Sequence, residues 1–178
     1  MSATLDRHRV KCSAESGINR ALTRLYGSAP RGERGLGSAP RNSGPTVTRL
    51  GARSGTGREA VMTIEGATDA DVFRAYGHEV LGPTRREGDI VVVDNLSAHQ
   101  AAGVHEASAA PGARRLYLPP YAPDRNPIAQ CWSTIKTFLR AAKARTREAL
   151  DAAVAHALAT VPESAARAWF VHCGYVLH

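Results

Sequence analysis

The chain has no long hydrophobic run: stretches such as Ile90 to Val93 fall far short of the roughly 20 apolar residues that a membrane span requires. Its opening residues, Met1 to Arg7, lack the apolar core of a secretory signal, so a cytoplasmic location is expected. Cysteine is scarce as well. Cys12, Cys131 and Cys173 are odd in number, widely separated and outside any CxxC spacing, which argues against a disulfide framework and against a zinc site. No internal repeat is evident. Acidic residues are sparse in residues 1–60, where Asp6, Glu15, Glu33 and Glu59 face eleven basic residues, and this imbalance supplies the whole net charge of +7. A polyanionic partner engaged by the N-terminal third is one reading, and a solvated arginine-rich surface is the other.

What is present is the composition of an ordinary globular domain, with 43% hydrophobic and 22% charged residues in 178. That length gives a single domain over 1–178 with a real core. Residues 27–58 are rich in Gly, Ser, Pro and Arg, yet Thr46 to Ala52 reads as a strand, and Glu59 to Ile64 reads as its antiparallel partner across Ser54 to Gly57. Thr68 is positioned as an N-cap for a helix reaching about Leu81 and stopped by Gly82-Pro83. The unbroken run Asp89 to Asp94 suits a parallel strand buried on both faces. Ser97 caps a helix expected over 98–109, and Arg114 to Leu118 gives another strand before a proline-rich loop. Asn126 as N-cap and Pro127 at the first helical position mark a long helix, with Ile128, Cys131, Trp132, Ile135, Phe138 and Leu139 on its apolar face. Two further helices are expected, from about Thr146 to Thr160 and from Glu163 to Val171.

Asp94 closes the buried strand, and open α/β sheets build their ligand crevices at the C-terminal ends of such strands. Two segments carry more. Val93-Asp94-Asn95-Leu96-Ser97-Ala98-His99, together with Leu118-Pro119-Pro120-Tyr121-Ala122-Pro123-Asp124-Arg125-Asn126-Pro127-Ile128, closely resembles the DDE transposases of bacterial insertion sequences related to the mariner group. Arg24 to Arg34 and the ending Trp169 to Tyr175 are similar to that family too, so the resemblance covers nearly the whole chain. It implies an α/β, ribonuclease-H-like fold, with a central mixed five-stranded sheet flanked by helices and extra C-terminal helices. The element order agrees, although periodicity alone leaves other α/β folds open. It also implies DNA transposition chemistry, in which three carboxylates hold two magnesium ions that activate water or a 3′-hydroxyl.

By that resemblance Asp94 is the second acid, catalytic and metal-binding. The third follows 34 intervening residues later, where this chain has Ala129, and the first stands just before Glu15-Ser16-Gly17, where it has Ala14. Glu15 should point to the opposite strand face unless the strand ends there, and Asp124 suits a local turn hydrogen bond better than a metal contact. The chain is therefore expected to be catalytically inactive, with magnesium binding in doubt. The alternative is a DNA-binding or dimerising remnant without cleavage activity, forming homodimers or mixed dimers with an intact transposase. Arg31, Arg34, Lys136 and Arg140 are the expected DNA contacts; Lys136 and Arg140 share a helix stripe with Ala129 and Ser133. His99 either leans toward a scissile phosphate or donates to a backbone carbonyl. Trp132 and Trp169 suit core packing. The helix-turn-helix region that such transposases carry ahead of this domain is expected to be absent. Arg49 and Arg53 share a strand face with Val47, where they would be costly if covered and unpaired and harmless at a solvated edge.

Overall fold

The β-branched stretch Ile90–Val93 forms an interior strand with parallel neighbours on both sides, as its composition predicts. The computed structural model describes residues 6, 8–94, 112–120 and 122–176. Within them the strands are β1 (Val10–Ile18), β2 (Val47–Ser54), β3 (Gly57–Glu65), β4 (Ile90–Val93) and β5 (Arg114–Tyr117), in the order β3-β2-β1-β4-β5. β1, β2 and β3 pair antiparallel, while β4 and β5 run parallel to β1. This is the expected mixed five-stranded sheet. The helices are α1 (Ala70–Ala75), α2 (Pro127–Ala142), α3 (Arg147–Thr160) and α4 (Glu163–His172). None among the described residues is long and apolar enough to cross a membrane. The helix expected over 98–109, with its Ser97 cap, lies outside the described residues.

Alternation along the strands divides the core between the two faces of the sheet. On one face Val10, Cys12, Ala14 and Val92 pack with Ile128, Trp132, Ile135 and Leu139 of α2, with Leu150 and Val154 of α3, and with Phe170 of α4. On the other, Leu50, Ala52, Val91 and Val93 pack with Phe73, Tyr76 and Leu81. A strand buried on both faces needs apolar residues at every position, which is why β4 reads as a run rather than an alternation. At the base of the sheet the buried Lys11 Nζ lies 3.5 Å from the Asp89 carboxylate and donates to the Thr84 carbonyl.

Several local expectations are corrected. The N-cap of α1 is Asp69, whose carboxylate accepts from Val72 N at 2.8 Å, and Thr68 is not the cap. The helix does not run regularly to Leu81; after Ala75 it widens into a π-helical stretch over Tyr76–Leu81 and then tightens into a 3-10 turn over Gly82–Thr84. Phe138 is 38% exposed and its ring meets that of His156 in a tilted contact, with centres 5.5 Å apart, so it sits at the rim of the apolar face of α2. The opening strand extends four residues past Ala14, because residues 14–18 pair with β2.

Arg49 and Arg53 occupy neither a solvated edge nor an unpaired interior. Both are buried, and both are engaged: Arg49 donates to Thr63 Oγ1 at 2.7 Å and to Asp151 Oδ1 of α3 at 2.6 Å, while the Arg53 guanidinium lies 5.6 Å from the Trp169 ring centre. Burial lowers the Arg49 pKa, and the Asp151 charge opposes that shift. Arg147 also reaches Asp151, at 2.8 Å, and Glu65, at 3.2 Å, so charges on β2, β3 and α3 form one network.

Between Arg49 and Arg53 lies Gly51, where the absence of a side chain lets α2 approach the sheet. A Cβ there would stand 2.8 Å from Trp132 Cζ2 and 3.3 Å from Ile128 Cδ1. Gly51→Ala is therefore expected to lower stability by about 1–3 kcal/mol through overpacking. Denaturant unfolding measures this directly, and an unchanged midpoint would mean that Trp132 does not rest on β2.

Candidate functional site

β1 is nine residues long and β4 only four, so their pairing stops at Ser13 opposite Val93. Beyond that point β1 continues alone against β2, while β4 has ended and the chain passes into Asp94. A cleft opens where the two strands part. Asp94 follows Val92 by two residues, and Val92 faces the α2 side of the sheet, so strand alternation directs Asp94 to that same side. Ala14, next after the last paired residue of β1, belongs to the same side.

The third wall comes from α2. Pro127 at the first helical position presets its turn, and the preceding Asn126 holds the N-cap place without capping through its side chain. Instead, Asn126 is buried and its Nδ2 donates to the Ser13 carbonyl at 3.3 Å, tying the helix start to β1 beside Ala14. Ala129 N bonds Asn126 O at 2.9 Å, which sets Ala129 in the first turn.

Ala14, Asp94 and Ala129 consequently line one cavity of about 690 Å³. Leu118, Pro119, Pro120, Ala122 and Pro123 form its apolar loop wall, and Trp132, Ser133, Lys136 and Arg140 continue the α2 wall. Glu15 and Ser16 line it as well, at the end of β1 that extends beyond β4. Burial lowers the Lys136 pKa, and the neighbouring positive charge of Arg140 lowers it further. The structure thus brings Lys136 and Arg140 to the same cavity as Asp94. Arg31 and Arg34 are exposed and are not among its lining residues. Asp124 is exposed in the 3-10 turn Pro123–Arg125 and does not line the cavity, and the local turn hydrogen bond expected of it is not formed among the described residues. His99, Asn95 and Tyr121 lie outside the described residues.

A centre for two divalent ions needs several oxygen donors converging on one point. Two of the three corners here present methyl groups, and among the described residues no three His, Cys, Asp or Glu side chains cluster closely enough to hold a metal ion. The described donor set does not fit such a centre. Asn126 is the site residue whose role sequence reasoning missed. The Asn-Pro pair ahead of the helix was its signal, but pointed to a cap rather than to a tie across to β1.

The family described as DDE superfamily endonuclease matches residues 9–151. Among solved structures, the catalytic domain of Mos1 mariner transposase is similar with a TM-score of 0.59 at 15% identity, covering 93% of this chain and 77% of that one. A Mos1 transposase paired-end complex with left transposon end gives 0.73 at 16% identity, covering 94% of this chain and 52% of that one. A mariner Mos1 paired-end complex with Mg gives 0.71 at 15% identity, covering 95% and 52%. The chain spans about half the length of the Mos1 chains in those complexes. No curated protein matches the sequence. The likeness to Mos1 is one of fold, a ribonuclease-H-like sheet with helices. From the geometry, Asn126→Ala is expected to cost about 1 kcal/mol by removing the tie between α2 and β1. Urea unfolding of the variant checks this, and a loss indistinguishable from zero would show that the tie does not hold the helix.

Proposed function

Since the chain belongs to the DDE superfamily endonuclease family, we propose that it is the catalytic-domain part of a mariner-related insertion-sequence transposase that no longer cuts DNA but still contacts it. The observation that carries this reading is the convergence of Ala14, Asp94 and Ala129 on one cavity. In the family's chemistry each of these corners is a carboxylate, and here Asp94 alone supplies one. Magnesium, a hard cation, gains nothing from a methyl group. Groups that act as a unit lose on the order of 10⁴ to 10⁶ in rate when one is removed, so a cavity short of two has no useful turnover.

Glu15 is the nearest candidate for a substitute acid. It lines the cavity, but its cross-strand partner Leu50 packs into the opposite face of the sheet, which supports a side chain directed away from Asp94. Asp124 is exposed and does not line the cavity, which weighs against that role. DNA contact is assigned to Lys136 and Arg140 at the cavity wall and to Arg31 and Arg34 on the exposed segment between β1 and β2, as positive groups for phosphates.

The unmodified chain is expected to leave supercoiled DNA intact in magnesium, and Ala14→Asp combined with Ala129→Glu is expected to produce magnesium-dependent nicking that Asp94→Asn abolishes. Nicking by the unmodified chain that Asp94→Asn removes would overturn the proposal and point to Glu15 as the replacement acid.

One observation also favours self-association. Leu25, Tyr26 and Leu36 are 67%, 89% and 93% exposed on the arginine-rich segment between β1 and β2, large apolar side chains that a partner surface would remove from water. A homodimer, or a mixed dimer with an intact transposase, would cover them. Sedimentation velocity is expected to show a dimer that Tyr26→Ser with Leu36→Ser converts to monomer, and a monomer at all concentrations would remove this part of the reading.

A further inference from the structure

The mismatch between this cavity and a metal centre leads to a more specific assignment, which rests on the DNA-contact reading above. We propose that the cavity is a phosphate site that works without a divalent ion, in which Lys136 and Arg140 hold the terminal phosphate of a nucleic-acid strand in the space that Ala14 and Ala129 leave open.

The first support is the pair of cations itself. Lys136 and Arg140 stand one helical turn apart on α2 and both line the cavity. Neither forms an ion pair among the described residues. Like charges at this spacing repel, and burial of Lys136 aggravates that cost. An anion seated between them relieves both effects. A terminal phosphate monoester suits the pair because it approaches two negative charges at neutral pH and offers several acceptor oxygens.

The second support is the charge that the alanines remove. With Glu15 directed to the opposite face, Asp94 is the one carboxylate among the described lining residues set against Lys136 and Arg140. Carboxylates at 14 and 129 would turn that excess of one positive charge into an excess of one negative charge, and such a site disfavours phosphate until metal ions reverse its sign. With methyl groups at those corners no reversal is needed. The cations stand on α2, while Asp94 stands across the cleft at the end of β4, so the phosphate has a positive wall to bind. Leu118, Pro119 and Pro120 add an apolar wall, which suits the sugar and base that follow. A volume of about 690 Å³ lies within the range of roughly 300–1,000 Å³ typical of small-molecule sites, enough for one nucleotide.

The test is the fluorescence anisotropy of a short single strand with either a 5′-phosphate or a 5′-hydroxyl, titrated with the full chain in EDTA and again in millimolar magnesium. The phosphorylated strand is expected to bind about tenfold tighter in EDTA, the scale of one or two hydrogen bonds between charged partners. Lys136→Gln with Arg140→Gln is expected to erase that preference, whereas Arg31→Gln with Arg34→Gln should weaken both strands alike and preserve it. Arg140→Lys, which retains the charge with minimal risk to the fold, is expected to keep most of the preference. Ala14→Asp with Ala129→Glu should lose it in EDTA and regain it in magnesium. Competition by a free deoxynucleoside monophosphate would identify the free nucleotide as an occupant through the same chemistry. Equal affinity for the two strands in EDTA, or a preference seen only with magnesium, would overturn the proposal while leaving DNA contact intact. No binding of either strand at low salt would sink this proposal and the DNA-contact reading together.

Discussion

The seating of α2 on the sheet is the constraint on which the rest depends. Two contacts fix it: Trp132 rests where Gly51 has no side chain, and Asn126 bonds the Ser13 carbonyl. The first sets how closely the helix approaches, and the second sets where along β1 it begins. Together they bring residue 129 opposite residues 14 and 94, which are far apart in the chain. The helix is further braced from the side. Leu139 and Ile135 share a core with Leu150, Val154 and Phe170, so α3 and α4 hold α2 down without lining the cavity themselves.

Electrostatics then decides what such an enclosure can hold. A cluster of carboxylates without metal ions is strained by mutual repulsion, and active sites commonly sacrifice stability for chemistry in this way. On the reading that Ala14 and Ala129 stand at acid positions, that repulsion is absent along with the oxygen donors. Elsewhere the chain manages buried charge by pairing it, as between Arg49 and Asp151 and between Lys11 and Asp89. Lys136 and Arg140 are treated differently: they are left beside each other at an accessible wall. That contrast supports reading them as groups kept for an outside partner.

Much of this was legible in the residues. The run Ile90–Val93 announced a strand covered on both faces, and Pro127 announced the start of α2. The family resemblance implied the corner positions 14, 94 and 129, and the structure brings those three residues to one cavity. Other features were not legible because they depend on partners distant in sequence. Nothing local to Arg49 says that Asp151, on a helix a hundred residues later, will meet its guanidinium. Nor does the pattern around Thr68 distinguish it from Asp69 as the cap, since both residue types serve and one position decides which side chain reaches the free amide. The widening after Ala75 is likewise invisible in a periodicity tuned to regular helix.

The cleft arises from unequal strand lengths, nine residues in β1 against four in β4. It is a property of backbone pairing and of the seating of α2, so the side chains at positions 14, 94 and 129 neither create nor close it. A lineage could therefore lose its reactive groups one at a time while every descendant still folded and presented the same hollow. Decay of chemistry and decay of architecture become separate events, and the interval between them leaves a shaped, accessible space open to selection for a different purpose.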